Sequence, residues 1–305
     1  MPPATVAALI DAATTHWTPA DDIEITLEAN PSSVEAARFA DLARAGVNRT
    51  SLGLQALDND TLLFLGRAHN VGEALSALAT AQANFARVSF DLIYARPDQS
   101  VVAWEAELTR ALSFGTEHLS LYQLTIEPGT RFATLVQQGK LKPADADYAA
   151  DLFGVTRTLT NAAGLPGYET SNHARHGAES RHNLTYWRYE DYVGVGPGAH
   201  GRRGDLATIR HKKPENWLSA IARNGHGLQS ETPLSVSEQT TEALLMGLRL
   251  REGVDLARFG DRSPVDTQAI NRLSALGLVA LDGTRLIVTE QGTLLLDAIL
   301  PEIIA

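Results

Sequence analysis

The sequence predicts an α/β fold, with βαβ units around a parallel sheet and a winged-helix-like α+β module after them. Three observations predict it. β-rich runs alternate with helical patterns over the first half of the chain. Residues 171–230 lose that periodicity and concentrate Gly, His and aromatic residues. From residue 231 the order becomes helix, helix, two short strands about an Asp-Gly turn, and helix.

The elements follow in order. Val6, Leu9, Ile10 and Ala13 share one face of a first helix. "IEITLE" (23–28) is a strand. "PSSVEAARFADLARAG" (31–46) opens on a Pro-Ser cap signal and closes on Gly46, which predicts one helix. "NRTSLGLQ" (48–55), "ARVSFDLIY" (86–94) and "EHLSLYQLT" (117–125) are further strands, separated by helices near 58–66, 71–83 and 100–114. A long helix over 143–163 leads into the aperiodic stretch. Strands joined by single helices imply a parallel sheet, either a barrel or an open sheet, and ligands of both bind at the C-terminal strand ends. Those ends carry Glu28, then Gln55, then Asp91 and Tyr94, then Tyr122, Gln123 and Thr125. Polar residues at four successive strand ends predict one site.

Composition narrows the function. The chain has 305 residues and a formal charge of -10, and the last 75 carry six Arg, no Lys and eleven Asp or Glu. That balance argues against a nucleic-acid partner and makes the C-terminal module a structural or lid element rather than a DNA reader. No apolar run reaches membrane-spanning length, and the N-terminus lacks a basic region ahead of its apolar residues, so a cytoplasmic location is expected. Cysteine is absent, which excludes disulfides and thiolate-held zinc or iron–sulfur clusters in this chain.

The most concentrated group of functional side chains is "RHNLTYW" (181–187), with His182, Asn183, Tyr186 and Trp187 inside six positions. In a helix Tyr186 falls near the face of His182, and Trp187 lies further round. Arg181, Arg188, Arg202, Arg203, Arg210, Lys212 and Lys213 form a local basic cluster suited to carboxylates.

The ordered set "EANP", "SLGLQALD", "LGRAH", "DLIY", "LSLYQLTIEPGT", "YETSNHA", "RHNLTYW", "GVGPGAHG" and "GLRLREGVDL" resembles the coproporphyrinogen III oxidase-like radical SAM family, and within it the HemW-type heme chaperones. The resemblance runs over nearly the whole chain. It implies a partial (β/α)6 radical-SAM-type barrel over 1–170, an HNxxYW-containing connecting region over 171–230 and the winged-helix-like domain over 231–305. It implies S-adenosylmethionine held by Glu28, Gln55, Arg67 and Asp91, and heme held by His182, Asn183, Tyr186 and Trp187. His173, His176 and His200 are rival axial donors. The function implied is heme binding and transfer to an acceptor protein. The alternative is an oxygen-independent coproporphyrinogen III oxidase, against which the HNxxYW element argues.

The family's [4Fe–4S] cluster sits on a CxxxCxxC loop after the first barrel strand, ahead of a glycine-rich turn. Neither motif is present, and four barrel-type strands are read where the family has six, so the first two are missing from this sequence. A truncated start, with Met1 internal to a longer protein, is the expected explanation. As written, the chain has no cluster ligand and radical chemistry is not expected of it; no catalytic residue and no metal ligand is assigned. Two smaller departures stand out. "YARPDQ" replaces a "YGLPGQ"-like turn, placing Ala95 and Asp98 where the family has glycines, and His173 stands where the family tends to have an aromatic.

Overall fold

The computed structural model describes residues 1–262 and 265–304. They form two compact units, Met1–Ser180 and Arg181–Ala305. Residues 171–180 of the expected connecting region thus belong to the first unit and 181–230 to the second. No helix among the described residues is long and apolar enough to cross a membrane.

The first unit opens with α1 (Pro3–His16) and β1 (Thr26–Ala29). Val6 packs on the core, but Leu9 is exposed, so the apolar stripe of α1 is only half used. The expected helix 31–46 is two, α2 (Ser33–Ala36) and α3 (Phe39–Arg44). Between them the N–H of Arg38 bonds the carbonyl of Glu35, three residues back rather than four. This tightening breaks the helix just before Phe39, which is buried together with Leu42. Gly46 then turns the chain at φ 108°, and a side chain there would also meet Ile10 of α1 at 3.3 Å.

There follow β2 (Arg49–Gln55), α4 (Asn59–Phe64), α5 (Val71–Asn84), β3 (Arg87–Tyr94), α6 (Val101–Leu112) and β4 (His118–Gln123). Then come α7 (Arg131–Gln137), α8 (Ala146–Ala162) and β5 (Asn172–Ala174). The sheet order is β1-β2-β3-β4-β5. The first four strands are parallel, as expected, and β5 adds antiparallel to β4, which the sequence pattern did not reveal. Four parallel strands in sequential order with helical crossovers agree with the expected partial α/β barrel.

One face of this sheet is apolar. Leu52, Leu54, Phe90, Leu92, Leu119 and Leu121 pack against Leu78 of α5, Trp104 and Leu108 of α6 and Leu152 of α8. Trp104 stacks on Tyr94 at 4.8 Å and donates its indole N–H to Thr156 Oγ1 at 2.8 Å. The alternate residues of each strand face the other way, and most of them are polar.

The second unit holds α9 (Arg181–Trp187), β6 (His200–Arg203), β7 (Leu206–Arg210), α10 (Pro214–Asn224) and β8 (Leu228–Pro233). The stretch expected to be irregular is therefore substantially built: β6-β7-β8 is an antiparallel sheet. Beyond it lie α11 (Val236–Gly247), β9 (Val254–Asp255), a 3-10 segment Leu256–Arg262, α12 (Thr267–Ala275), β10 (Val279–Asp282), β11 (Arg285–Val288), α13 (Glu290–Thr293) and α14 (Leu296–Ile303). The β10–β11 hairpin turns at Gly283, φ 60°, as the Asp-Gly signal predicts, and β9 completes a three-stranded wing. Leu244, Leu286, Leu300 and Ile303 are among the residues that give this module its own core.

Candidate functional site

The polar face of the first sheet is ordered in layers. At its N-terminal end His118 is fully enclosed: Ser89 Oγ lies 2.7 Å from its Nδ1 and Tyr168 Oη 3.0 Å from its Nε2. Burial, with Arg49 and Arg87 adding positive charge, holds its pKa well below the ordinary histidine value, so the imidazole is neutral. Arg87 beside it is paired with Glu24 and Glu117 and donates to the carbonyls of Ala178 and Glu179.

The middle layer centres on Asp91. Ser51 Oγ donates to Asp91 Oδ1 at 3.3 Å, and the Ser120 hydroxyl bonds the same carboxyl. Burial first, and then the negative charge of Glu28, raise the Asp91 pKa to about 7 against the opposing pull of the two serines and Arg49. Glu28 itself is raised, by desolvation first, with Arg49 opposing. Its side chain is partly solvent-accessible, on a strand with one sheet neighbour, β2, among the described residues. Tyr122 of β4 is raised to about 12 by desolvation and by the charge of Asp91. The arrangement is a recess with two coupled carboxyls, hydroxyls and one buried guanidinium.

Gln55 closes this layer. It is buried and holds φ 72°, a left-handed conformation that costs a non-glycine residue about 1–3 kcal/mol. A side chain at Gly53 would stand 2.9 Å from Gln55 Nε2, so glycine there leaves the amide its place. Of the four residues expected to face S-adenosylmethionine, the structure gathers Glu28 and Asp91 electrostatically and sets Gln55 at the exit of the intervening strand. Arg67 follows the turn after α4, is exposed, and makes no ion pair among the described residues.

The turn after β3 holds two non-glycine residues in the left-handed region. Ala95 has φ 54° and Asp98 φ 59°. Arg96, buried, forms an ion pair with Glu107 of α6, and Glu107 Oε1 also accepts the N–H of Leu57 at 2.8 Å. One carboxylate thereby ties the exit of β2 to the exit of β3. Gln99 adds a bond to the Arg96 N–H at 3.2 Å.

Strand-end reasoning missed Arg49, Ser51, Ser89, His118 and Ser120. The signal was period-2 alternation: R-x-S-x-G-x-Q in β2, S-x-D in β3 and H-x-S-x-Y in β4.

In the second unit α9 carries the aromatic group. The His182 and Tyr186 rings meet edge to face at 4.7 Å, as their spacing requires in a helix, and Tyr186 meets Tyr192 the same way at 4.5 Å. His182 is exposed, whereas Asn183, Tyr186 and Trp187 are half-buried. Burial raises the Tyr186 pKa. The Arg249 guanidinium lies 5.9 Å from the Trp187 ring centroid.

Much of the expected basic cluster is committed elsewhere. Arg188 forks onto Glu252 at 2.8 and 2.9 Å. Arg202 is buried 3.4 Å over the Tyr189 ring, Arg203 pairs with Glu231, and Arg210 Nε donates to the Gly194 carbonyl at 3.0 Å. Among the rival histidines, His173 is 1% exposed and its pKa is lowered to about 3 by burial. Its ring hydrogen-bonds backbone at Leu165, so it is enclosed in the core and cannot serve as an axial donor to an outside ligand.

Known proteins match this geometry and sequence. The Radical SAM superfamily model matches residues 4–108, and the HemN C-terminal domain model matches 234–295. The mitochondrial radical S-adenosyl methionine domain-containing protein 1 of Mus musculus is 41% identical, over 98% of this chain and 71% of that protein. The heme chaperone HemW of Escherichia coli (strain K12) is 35% identical over 96% of this chain and 78% of its own length, and that of Bacillus subtilis (strain 168) 33% identical over 91% and 75%.

The chain belongs to the HemW family of radical SAM proteins.

Among solved structures, coproporphyrinogen III oxidase (HemN) from Escherichia coli superposes with a TM-score of 0.80 over 100% of this chain and 75% of that one, at 19% identity. That likeness shows the fold alone. The superfamily implies S-adenosylmethionine and a [4Fe–4S] cluster. The carboxyls, hydroxyls and amide of the sheet recess fit the polar groups of the former. The donor set does not fit the latter: the 305 residues contain no cysteine, and no group of three or more His, Asp or Glu among the described residues could hold a metal ion.

Proposed function

We propose that this HemW-family chain binds heme through α9 and transfers it to an acceptor protein, and that the polar sheet recess binds S-adenosylmethionine. The observation that carries the heme reading is the single helix presenting exposed His182 edge-on to Tyr186, one position before Trp187. An imidazole beside aromatic walls is what an iron-centred apolar disc requires. HemW relatives spanning more than nine-tenths of this chain support the same reading. In the recess, Glu28, Gln55 and Asp91 offer acceptors and an amide to amino and ribose hydroxyl groups, and Arg67 would hold the carboxylate. No radical step is derived, because this chain supplies no thiolate for the cluster. A cytoplasmic location belongs to the same proposal.

The oxidase alternative rests on fold likeness to HemN alone and would require radical decarboxylation. Titration with heme tests the proposal. The expected outcome is a shifted Soret band whose binding isotherm weakens at least tenfold in His182→Ala or Trp187→Ala. A spectrum that never departs from that of free heme overturns it.

A further inference from the structure

A cavity of about 320 Å³ lies within the second unit, against Trp187. Its wall holds three guanidiniums, Arg188, Arg258 and Arg285, with Gly247 and Gly253 forming part of the floor. Both glycines are sterically required. A side chain at Gly247 would stand 2.4 Å from Val254, and one at Gly253, φ 65°, would stand 2.1 Å from the Leu286 carbonyl.

The charges of the cavity are unevenly used. Glu252 is occupied by the Arg188 fork. Asp255 accepts from Thr284 Oγ1 at 2.7 Å and from the N–H of Ala257 at 3.1 Å. Glu190 is exposed at the rim. Arg258 donates Nη1 to the Arg188 carbonyl at 3.2 Å, and Arg285 donates Nη1 to the carbonyls of Glu252 and Gly253 at 3.2 and 3.5 Å. Neither forms a direct ion pair among the described residues, although both sit in the field of Asp255, and Arg285 in that of Glu252. Each therefore keeps most of its five N–H donors for an incoming acceptor. Fixed guanidiniums with open donors bind carboxylates in a forked geometry. Trp187, half-buried, lines the same cavity and brings an aromatic residue beside these guanidiniums.

We propose that this cavity is the carboxylate subsite for heme: Arg258 and Arg285 receive the propionates while Trp187 packs against the edge of the macrocycle. The volume suits an edge with its carboxylate arms, not the whole disc, which leaves the ring to the open side of α9. This inference rests on the heme reading above and adds to it the part of the ligand that is recognised. The expected basic loop, by contrast, has spent Arg202, Arg203 and Arg210 on internal contacts.

The test compares iron protoporphyrin IX with its dimethyl ester by Soret titration of the full chain. The diacid is expected to bind at least tenfold more tightly than the diester, and the difference should shrink as salt is raised. In Arg258→Gln the diacid should weaken about tenfold while the diester stays within twofold of wild type. Arg258 is exposed, so this variant keeps its fold; Arg285→Gln, followed by its thermal melt, is the second variant. Equal affinity for diacid and diester, or a variant that leaves the diacid untouched, overturns the subsite but spares the heme reading. Binding of neither porphyrin removes both.

Discussion

The sheet recess of the first unit and the aromatic helix of the second are built on opposite principles. In the recess, polar side chains are buried and held by one another across strands whose register is fixed. On α9 the chemistry sits at the surface of a seven-residue helix, positioned by ring edges and by its packing beside Gly247. Buried polar networks are costly to leave unsatisfied, so a substitution in the recess acts on folding. Substitutions at exposed positions usually change stability little, so His182 on α9 can be altered at small structural cost. The difference teaches where a substitution reads out: as stability in one region, as affinity in the other.

The largest effect that would sharpen this contrast is expected at Glu107, which supports the recess from behind. Glu107→Ala leaves Arg96 buried without its partner and frees the Leu57 N–H. Breaking a buried pair in this way costs about 3–5 kcal/mol. Urea unfolding should show that loss, and replacing both partners with apolar residues of similar volume should recover most of it. A loss under 1 kcal/mol would mean the strand exits are held by other contacts.

Asp91 comes next, and its sign can be worked out. Its folded pKa, about 7, stands above the ordinary 3.8. Stability from this group is complete below pH 4 and is lost as pH rises to 7, because the native state keeps a proton that the unfolded chain has released. Asp91→Asn should therefore raise stability at pH 8, on the order of 2–4 kcal/mol, and change little at pH 4. His173 works the other way. Its folded pKa lies near 3, so stability present above pH 6.5 is lost as pH falls toward 3. His118 acts in the same sense. Because two histidines oppose one aspartate, wild type should still lose stability as pH falls through 6, and Asp91→Asn should lose it more steeply. Thermal melts of both proteins across pH 4–8 decide it; parallel profiles would break the account of the recess.

Much of this was legible in the sequence. The parallel strands stood out because each reads as a β-rich run between helical patterns, and the Asp-Gly turn marked the wing. The strand-end rule found Glu28, Gln55 and Asp91 because backbone geometry puts strand termini together whatever the side chains. It missed Ser51 and Ser120, which look unremarkable singly and matter only because register sets both against Asp91. The β6–β8 sheet escaped because its strands are four to six residues long and alternate weakly. The break at Arg38 escaped because it depends on where Phe39 and Leu42 must point in the assembled core. Which arginines were committed could not be read from spacing either. Arg202 and Arg258 look alike in sequence, and one is buried under a tyrosine while the other is exposed.

The smallest expected effect tests the other half of the comparison. His182 is exposed, and its ring meets the edge of Tyr186, an interaction of roughly 0.5–1.5 kcal/mol when buried and less at a surface. Because its side chain is exposed, His182→Ala is expected to cost no more than about 0.5 kcal/mol of stability while weakening heme. Tyr186→Ala removes contacts to both His182 and Tyr192 and should cost more, since Tyr186 is half-buried between them. The order of the two variants is the informative quantity. If His182→Ala destabilised the chain as much as Tyr186→Ala, the imidazole would be a structural member of the aromatic cluster. If it leaves stability in place and removes the Soret shift, α9 is a presentation surface, and its histidine is held out for a ligand rather than for the fold.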